Sequence, residues 1–195
     1  MSKQVTKQPD EFDIYDFDHT IYKGDCSVDF YIFCLRQQLS LLKYLPYQFW
    51  HLVLFILKLE SRSIFKGHFF VYLRGVDDAK QYVEQFWNGH YRNIRLWYKG
   101  LDHSRDIIVS ASPEFILEPV FRKLKAHTLI ATRIDLKTGM IEGNNCWGEE
   151  KVTRLRQILG EPKIRKAYTD SLLDMPLLLL AKERYIVRGD KISAL

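Results

Sequence analysis

The sequence predicts an α/β fold, a parallel sheet with helices on both faces, carrying an all-helical insertion after its first strand. Three observations lead there. Short apolar runs alternate with amphipathic stretches through the second half of the chain. Aspartates, serines and threonines stand where several of those runs end, the edge at which parallel sheets bind ligands. Between the first run and the second lie residues 24–103, whose apolar positions recur at helical spacing. At 195 residues the chain is long enough for one core plus an inserted lobe. A content of 47% hydrophobic and 14% aromatic residues excludes a disordered or fibrous chain.

Residues 1–11 are polar and lack the apolar centre of a signal peptide, so a frayed tail is expected. The first strand covers 12–16, and a helix is predicted over 26–36. The next stretch, bounded by Leu39 and Leu59, has the length of a bilayer span, but Lys43, Pro46, Gln48, His51 and Lys58 interrupt it. A helix buried in the lobe is the reading preferred over peripheral contact with a membrane surface through the same residues. Val76, Ala79, Val83, Phe86, Trp87, Tyr91, Ile94 and Trp97 then follow helical spacing, with Asp77 as a cap and Gly100 at the end. That aromatic stripe reads as lobe core rather than as a ligand cage. Strands at 106–110, 128–133, 165–169 and 184–187 alternate with helices at 114–125, 149–159 and 172–182, the second of them stopped by Gly160. The expected division is an α/β core of 1–23 and 104–195 around a helical lobe of 24–103.

The net charge of +5 comes from dispersed Lys and Arg. Arg122, Lys123 and Lys125 fall at a predicted helix end, where cations complement free carbonyls, and no basic and aromatic motif accompanies them. Nucleic acid is therefore not an expected partner, whereas anionic substrates or anionic lipid surfaces fit. Cys26, Cys34 and Cys146 form an odd, scattered set without C-x-x-C spacing, which suggests neither disulfides nor a zinc site and points to a reducing cytoplasm. Nothing in the composition sets an oligomeric state.

The chemistry concentrates in four short segments. Asp16-Phe17-Asp18-His19-Thr20 ends the first strand, and residues two apart in an extended segment project to one side. Two such carboxylates repel, and a divalent cation with oxygen preference would offset that repulsion. One of them can attack phosphorus while the other moves a proton. An exposed turn has the same letters, so the other segments decide. The next strand, 106–110, is followed in Ser110-Ala111-Ser112-Pro113 by small hydroxyl residues and a helix start, where Ser110 and free amides suit a phosphate oxygen and Ser112 is expected to cap the helix with Pro113 in its first turn. Lys151 opens a helix, and Asp170, with Asp174 four residues on, ends another strand. Alone, the lysine reads as a surface charge and either aspartate as a helix cap.

Together these segments resemble the haloacid dehalogenase-type phosphatase superfamily, and within it the phosphoserine phosphatase-like branch with a helical insertion cap. The resemblance implies a Rossmann-like core and a phosphomonoester hydrolase working through an aspartyl-phosphate. It assigns Asp16 as nucleophile, Asp18 as acid and base, Thr20 as a loop brace near the phosphate, and Ser110 and Lys151 as holders of the phosphoryl oxygens. It implies Mg2+ on Asp16, on the Asp18 carbonyl and on Asp170, with Asp174 and Ser171 behind them. Where that branch reads its substrate's amine and carboxylate, this chain has Asp25 and, counting from Phe65, Tyr72 with Arg74 nearby. The absent guanidinium argues against phosphoserine. Gly24-Asp25, Leu73-Arg74-Gly75 and Cys146 to Val152 are also similar to phosphatidylglycerophosphatases of the C type, which implies a lipid phosphate substrate and a place at the inner membrane surface. The opposing class is a phosphate-binding regulatory protein without turnover.

Overall fold

Each strand that the sequence predicts is present. The computed structural model describes residues 11–195, so the tail expected over 1–11 lies outside the described residues apart from Glu11. Strands β1 (Phe12–Tyr15), β2 (Asp106–Pro113), β3 (Thr128–Thr132), β4 (Ile164–Thr169), β5 (Ala181–Arg188) and β6 (Lys191–Ala194) form one sheet in the order β3-β2-β1-β4-β5-β6. The first five pair in parallel, while β6 folds back antiparallel on β5. That last strand is missing from the sequence-based reading because all four of its residues are exposed, so no alternation marks it.

Alternate strand residues feed two cores. Tyr15 and Ile108 face α6 (Glu114–Leu124), packing with Ile116, Leu117 and Val120. Ile14, Ile107 and Val109 face the other way, toward Leu155 of α7 (Glu149–Leu159) and Leu177 and Leu178 of α8 (Met175–Leu178). The predicted helix over 172–182 is much shorter. A 3-10 turn at Leu172–Asp174 leads into α8, with Pro176 in its first turn, and Ala181 already belongs to β5. Pairing of Ala181 with Ile164 satisfies its backbone in the sheet and overrides its helical pattern.

Between β1 and β2 the described elements are helical: α1 (Cys26–Gln37), α2 (Leu45–Ile56), α3 (Arg62–Phe69), α4 (Ala79–His90) and α5 (Leu96–Lys99), joined in part by 3-10 turns. Asp78 rather than Asp77 caps α4, accepting from the Gln81 N–H at 2.9 Å. Phe86 and Trp87 are buried, which makes the aromatic stripe core. The buried-helix reading of 39–59 fails. That stretch is a 3-10 turn, Leu39–Tyr44, followed by α2, which has Pro46 in its first turn and buries only Gln48. Leu45, Phe49, Trp50, Leu52 and Ile56 of α2 are exposed. Gln48 occupies the inward position because it bonds at both ends, accepting from the Tyr31 hydroxyl and donating to the Phe69 carbonyl at 2.6 Å. Among the described residues no helix is long and apolar enough to cross a membrane.

Gly139, in the loop that follows β3, packs closely against the insertion. It has φ +73°, and a Cβ there would lie 2.2 Å from the Phe70 carbonyl oxygen, so only glycine permits this approach.

Candidate active site

The strand order reverses at β1, and the polar residues gather at the carboxyl ends of β1, β2 and β4 around that point. Tyr15 pairs with Tyr168, which sets Asp16 beside the end of β4, where its N–H donates to the Tyr168 carbonyl at 2.9 Å. Lys151, in the first turn of α7, donates from Nζ to Asp16 Oδ1 at 2.8 Å and to Asp174 Oδ2 at 2.6 Å. Thr169 Oγ1 adds a bond to the same Asp174 oxygen at 3.0 Å. All four side chains are buried. Ser110 is buried beside them on β2, its Oγ accepting from the Ser112 N–H at 3.0 Å.

Burial raises the Asp16 carboxyl to about 7, and the negative charges of Asp174 and Asp18 add to that against the pull of Lys151. Lys151 itself would lose its proton more readily through burial, but Asp16 and Asp174 outweigh this and hold it charged. Asp18 is raised to about 6 by burial and by Asp25, opposed by hydrogen bonds from Cys26 and Ser112.

Those bonds give Asp18 a separate anchorage. Its Oδ1 accepts from the Cys26 N–H at 2.8 Å, and its Oδ2 meets the Ser112 hydroxyl, which is in turn 2.9 Å from the Ser27 hydroxyl. A hydroxyl donates one proton and accepts others. When Asp18 is ionised, Ser27 donates to Ser112 and Ser112 to Asp18. When Asp18 carries a proton, the chain can reverse. The pair of serines therefore serves both protonation states of the carboxyl. This overturns the expectation that Ser112 caps α6, whose N-cap is Pro113 with no side-chain bond.

A family model for haloacid dehalogenase-like hydrolases matches residues 14–179, spanning every one of these segments. The chain belongs to that family. Over 120 residues the chain is 39% identical to protein CicA of Caulobacter vibrioides, covering 55% of the present chain and 53% of CicA. It thus spans about half the length of that curated relative. Among solved structures, a protein of unknown function from Bordetella pertussis superposes with a TM-score of 0.75 at 19% identity, covering 89% of this chain and 88% of that one. A phosphoserine phosphohydrolase-like protein from Francisella tularensis gives 0.54 at 17% identity, covering 89% and 85%. At such identities the likeness is one of fold.

Several residues of the chain lie where the sequence did not place them. The Thr20 hydroxyl is fully buried without a partner among the described residues, so it does not brace the loop. Arg95 of the insertion does so instead, donating to the Thr20 carbonyl at 2.9 Å and the His19 carbonyl at 3.1 Å. Tyr72 is fully buried in the core of the inserted helices, and Arg74 points away to the Thr138 carbonyl, so neither reaches the site. The ungapped count from Phe65 fails because α3 ends at Phe69 and a 3-10 turn, Phe70–Gly75, changes the direction of the following side chains. Ser171 caps the turn before α8, accepting from the Leu173 N–H at 3.2 Å.

Phe65 and Asp25 do line a cavity of about 390 Å³ that opens over Asp18 and Ser112. Asp25 also caps α1 through the Ser27 and Val28 amides. Two cations in that cavity wall, Arg62 and Lys66, escaped the sequence-based reading. The usable signal was their spacing of four on one helix, beside the Phe65 already chosen.

The oxygen atoms suited to a hard cation are the Asp16 and Asp170 carboxylates and the Asp18 carbonyl. Among the described residues nothing donates a hydrogen bond to Asp170 or to the Asp18 carbonyl. Burial, with neighbouring negative charges, raises the Asp16 and Asp18 carboxyls, and a divalent cation would offset that crowding. Both features fit magnesium.

Proposed function

We propose that this hydrolase is a magnesium-dependent phosphomonoesterase that acts through an aspartyl-phosphate on a small or lipid phosphate monoester. The observation that carries the reading is the separate anchorage of two neighbouring carboxyls. Lys151 and Asp174 orient Asp16, whereas Cys26, Ser112 and Ser27 hold Asp18.

In the first step an Asp16 oxygen attacks phosphorus and the bond to the ester oxygen breaks, with Asp18 giving its proton to the departing alcohol. In the second, Asp18 takes a proton from water, whose oxygen attacks phosphorus and releases inorganic phosphate and free Asp16. Ser110 and Lys151 stabilise the phosphoryl oxygens. Asp16, Asp170 and the Asp18 carbonyl would hold magnesium, which would supply charge neutralisation for the phosphoryl group. In this reading the inserted helices, residues 24–103, form a cap over the core of 1–23 and 104–195 and exclude water from the reaction.

Turnover of para-nitrophenyl phosphate by the purified protein, present with magnesium and abolished by a chelator, tests the reading. No turnover under any divalent cation would leave the regulatory, phosphate-binding alternative.

A second reading rests on α2. Its side chains Leu45, Phe49, Trp50, Leu52 and Ile56 face solvent, no acidic residue occurs between Arg36 and Leu59, and Lys43, Lys58 and Arg62 flank them. Such a surface suits peripheral contact with anionic lipid, and Phe55 of α2 belongs to the cavity wall. A lipid phosphate, phosphatidylglycerophosphate among them, would then be the substrate. Faster hydrolysis of that lipid in vesicles than of a panel of soluble sugar and amino-acid phosphates supports it, and the reverse order removes it.

A further inference from the structure

Lys66 and Arg62 stand one helical turn apart on α3 and both line the cavity above Asp18. Lys66 Nζ donates to the Ala111 carbonyl and, at 3.0 Å, to Asn145 Oδ1, two neutral acceptors. The Arg62 guanidinium lies 4.8 Å from the centre of the Trp147 ring. Among the described residues neither cation makes an ion pair. The carboxylates on the same cavity are committed elsewhere, Asp18 to Cys26 and Ser112 and Asp25 to the amides that open α1.

A partly buried ammonium held by neutral acceptors alone is under-compensated. Burial accordingly lowers Lys66 to about 8 even with Asp18 and Asp25 pulling the other way. The remaining walls, Phe55, Phe65 and Phe69, offer no counter-charge.

Position decides what the missing anion belongs to. If Asp18 protonates the leaving oxygen, as in the proposed reaction on which this step rests, everything beyond that oxygen occupies this cavity. We infer that Lys66, with Arg62, recognises a second anionic group on the leaving alcohol, so that the preferred substrates are phosphomonoesters carrying a further carboxylate or phosphodiester beside an apolar portion. Lys66 also touches the Ala111 carbonyl next to Ser110, which couples seating of that anion to the phosphate-binding strand end. A lysine serving only to latch the helices to the sheet would treat charged and neutral leaving groups alike.

Calorimetric binding of non-hydrolysable phosphonates with magnesium separates the two roles. The probes are para-methylbenzylphosphonate, its para-carboxy analogue and an analogue bearing a methyl phosphodiester. Wild-type protein should bind the better anionic probe about tenfold more tightly than the neutral one, as expected for one added charge-assisted contact. Lys66→Met should bring that ratio close to one, and Arg62→Gln should reduce it by about threefold. Whichever anionic probe wins distinguishes carboxylate from phosphodiester. A wild-type ratio of one or less, absence of binding by all three probes, or a ratio preserved in Lys66→Met would overturn the inference. Should Lys66→Met fail to fold, Arg62→Gln at the surface decides, since a preserved ratio there has the same force. Turnover of para-nitrophenyl phosphate by the same preparation tells failure of the phosphatase reading from failure of this one, because the binding ratio does not depend on turnover.

Discussion

The carboxyl edge of the sheet and the helices inserted above it satisfy their charged and apolar groups in different ways. At the sheet edge Asp16, Lys151 and Asp174 meet one another directly. In the insertion Lys66 has only neutral partners, and α2 turns Phe49 and Trp50 outward. A closed network holds reacting atoms in one geometry before substrate arrives, and most of an enzyme's electrostatic stabilisation comes from such preorganisation. Groups left open are completed by what binds. The reaction is therefore to be sought in the first region and substrate choice in the second, and substitutions in each should move different observables.

The largest effect is expected at Asp16, the proposed nucleophile. Asp16→Asn should lower turnover of para-nitrophenyl phosphate by about 10³-fold or more while the circular dichroism of the fold is kept. Retained activity in a folded variant would break the comparison at its root. Next comes Asp174→Asn, which removes one of the two carboxylates on Lys151. A misplaced ammonium should reduce kcat by about 100-fold, with magnesium still supporting the residual rate. A change confined to KM would show that Lys151 serves ground-state binding instead.

Ser112→Ala sharpens the boundary within the site. It removes a hydrogen bond to Asp18, the carboxyl proposed to act in both protonation states, a loss of about 1.5 kcal/mol, or about tenfold in kcat. Ser27→Ala should cost less, because Ser27 reaches Asp18 only through Ser112. An unchanged kcat in Ser112→Ala would mean that the serines are packing residues and do not serve Asp18.

The same division explains what could be read from the sequence. Asp16, Asp18 and Asp170 follow strand ends, Lys151 lies in a first helical turn and Ser110 stands where β2, which runs on to Pro113, loses its regular pairing with β3, so local pattern places them at one edge of a parallel sheet. The two cores follow from alternation in the strands. What escaped depends on contacts distant in sequence. Ser112 is separated from Asp18 by 94 residues and Lys66 from Ala111 by 45, and no local pattern reports either pairing. The Arg74 and Tyr72 expectation failed because it needed α3 to continue where the chain turns. The outward face of α2 was misread because its apolar content suggests burial, and only the packing shows which positions have partners.

The smallest effect tests that outward face. Trp50 is 60% exposed and lies among other exposed apolar side chains and the cations Lys43 and Lys58. If α2 rests on anionic lipid, Trp50→Ser should weaken partitioning to vesicles containing phosphatidylglycerol by about fivefold, equivalent to about 1 kcal/mol of apolar burial lost. Added salt should weaken it further, because the lysine contribution is screened within a Debye length. Turnover of para-nitrophenyl phosphate in the absence of vesicles reports independently on the sheet edge. A Trp50→Ser variant that partitions as wild type does would free α2 of any lipid role and leave its apolar face to another partner. A variant that loses partitioning and soluble turnover together would instead show that the two regions are not separable, because the outer surface of the insertion then supports the chemistry beneath it.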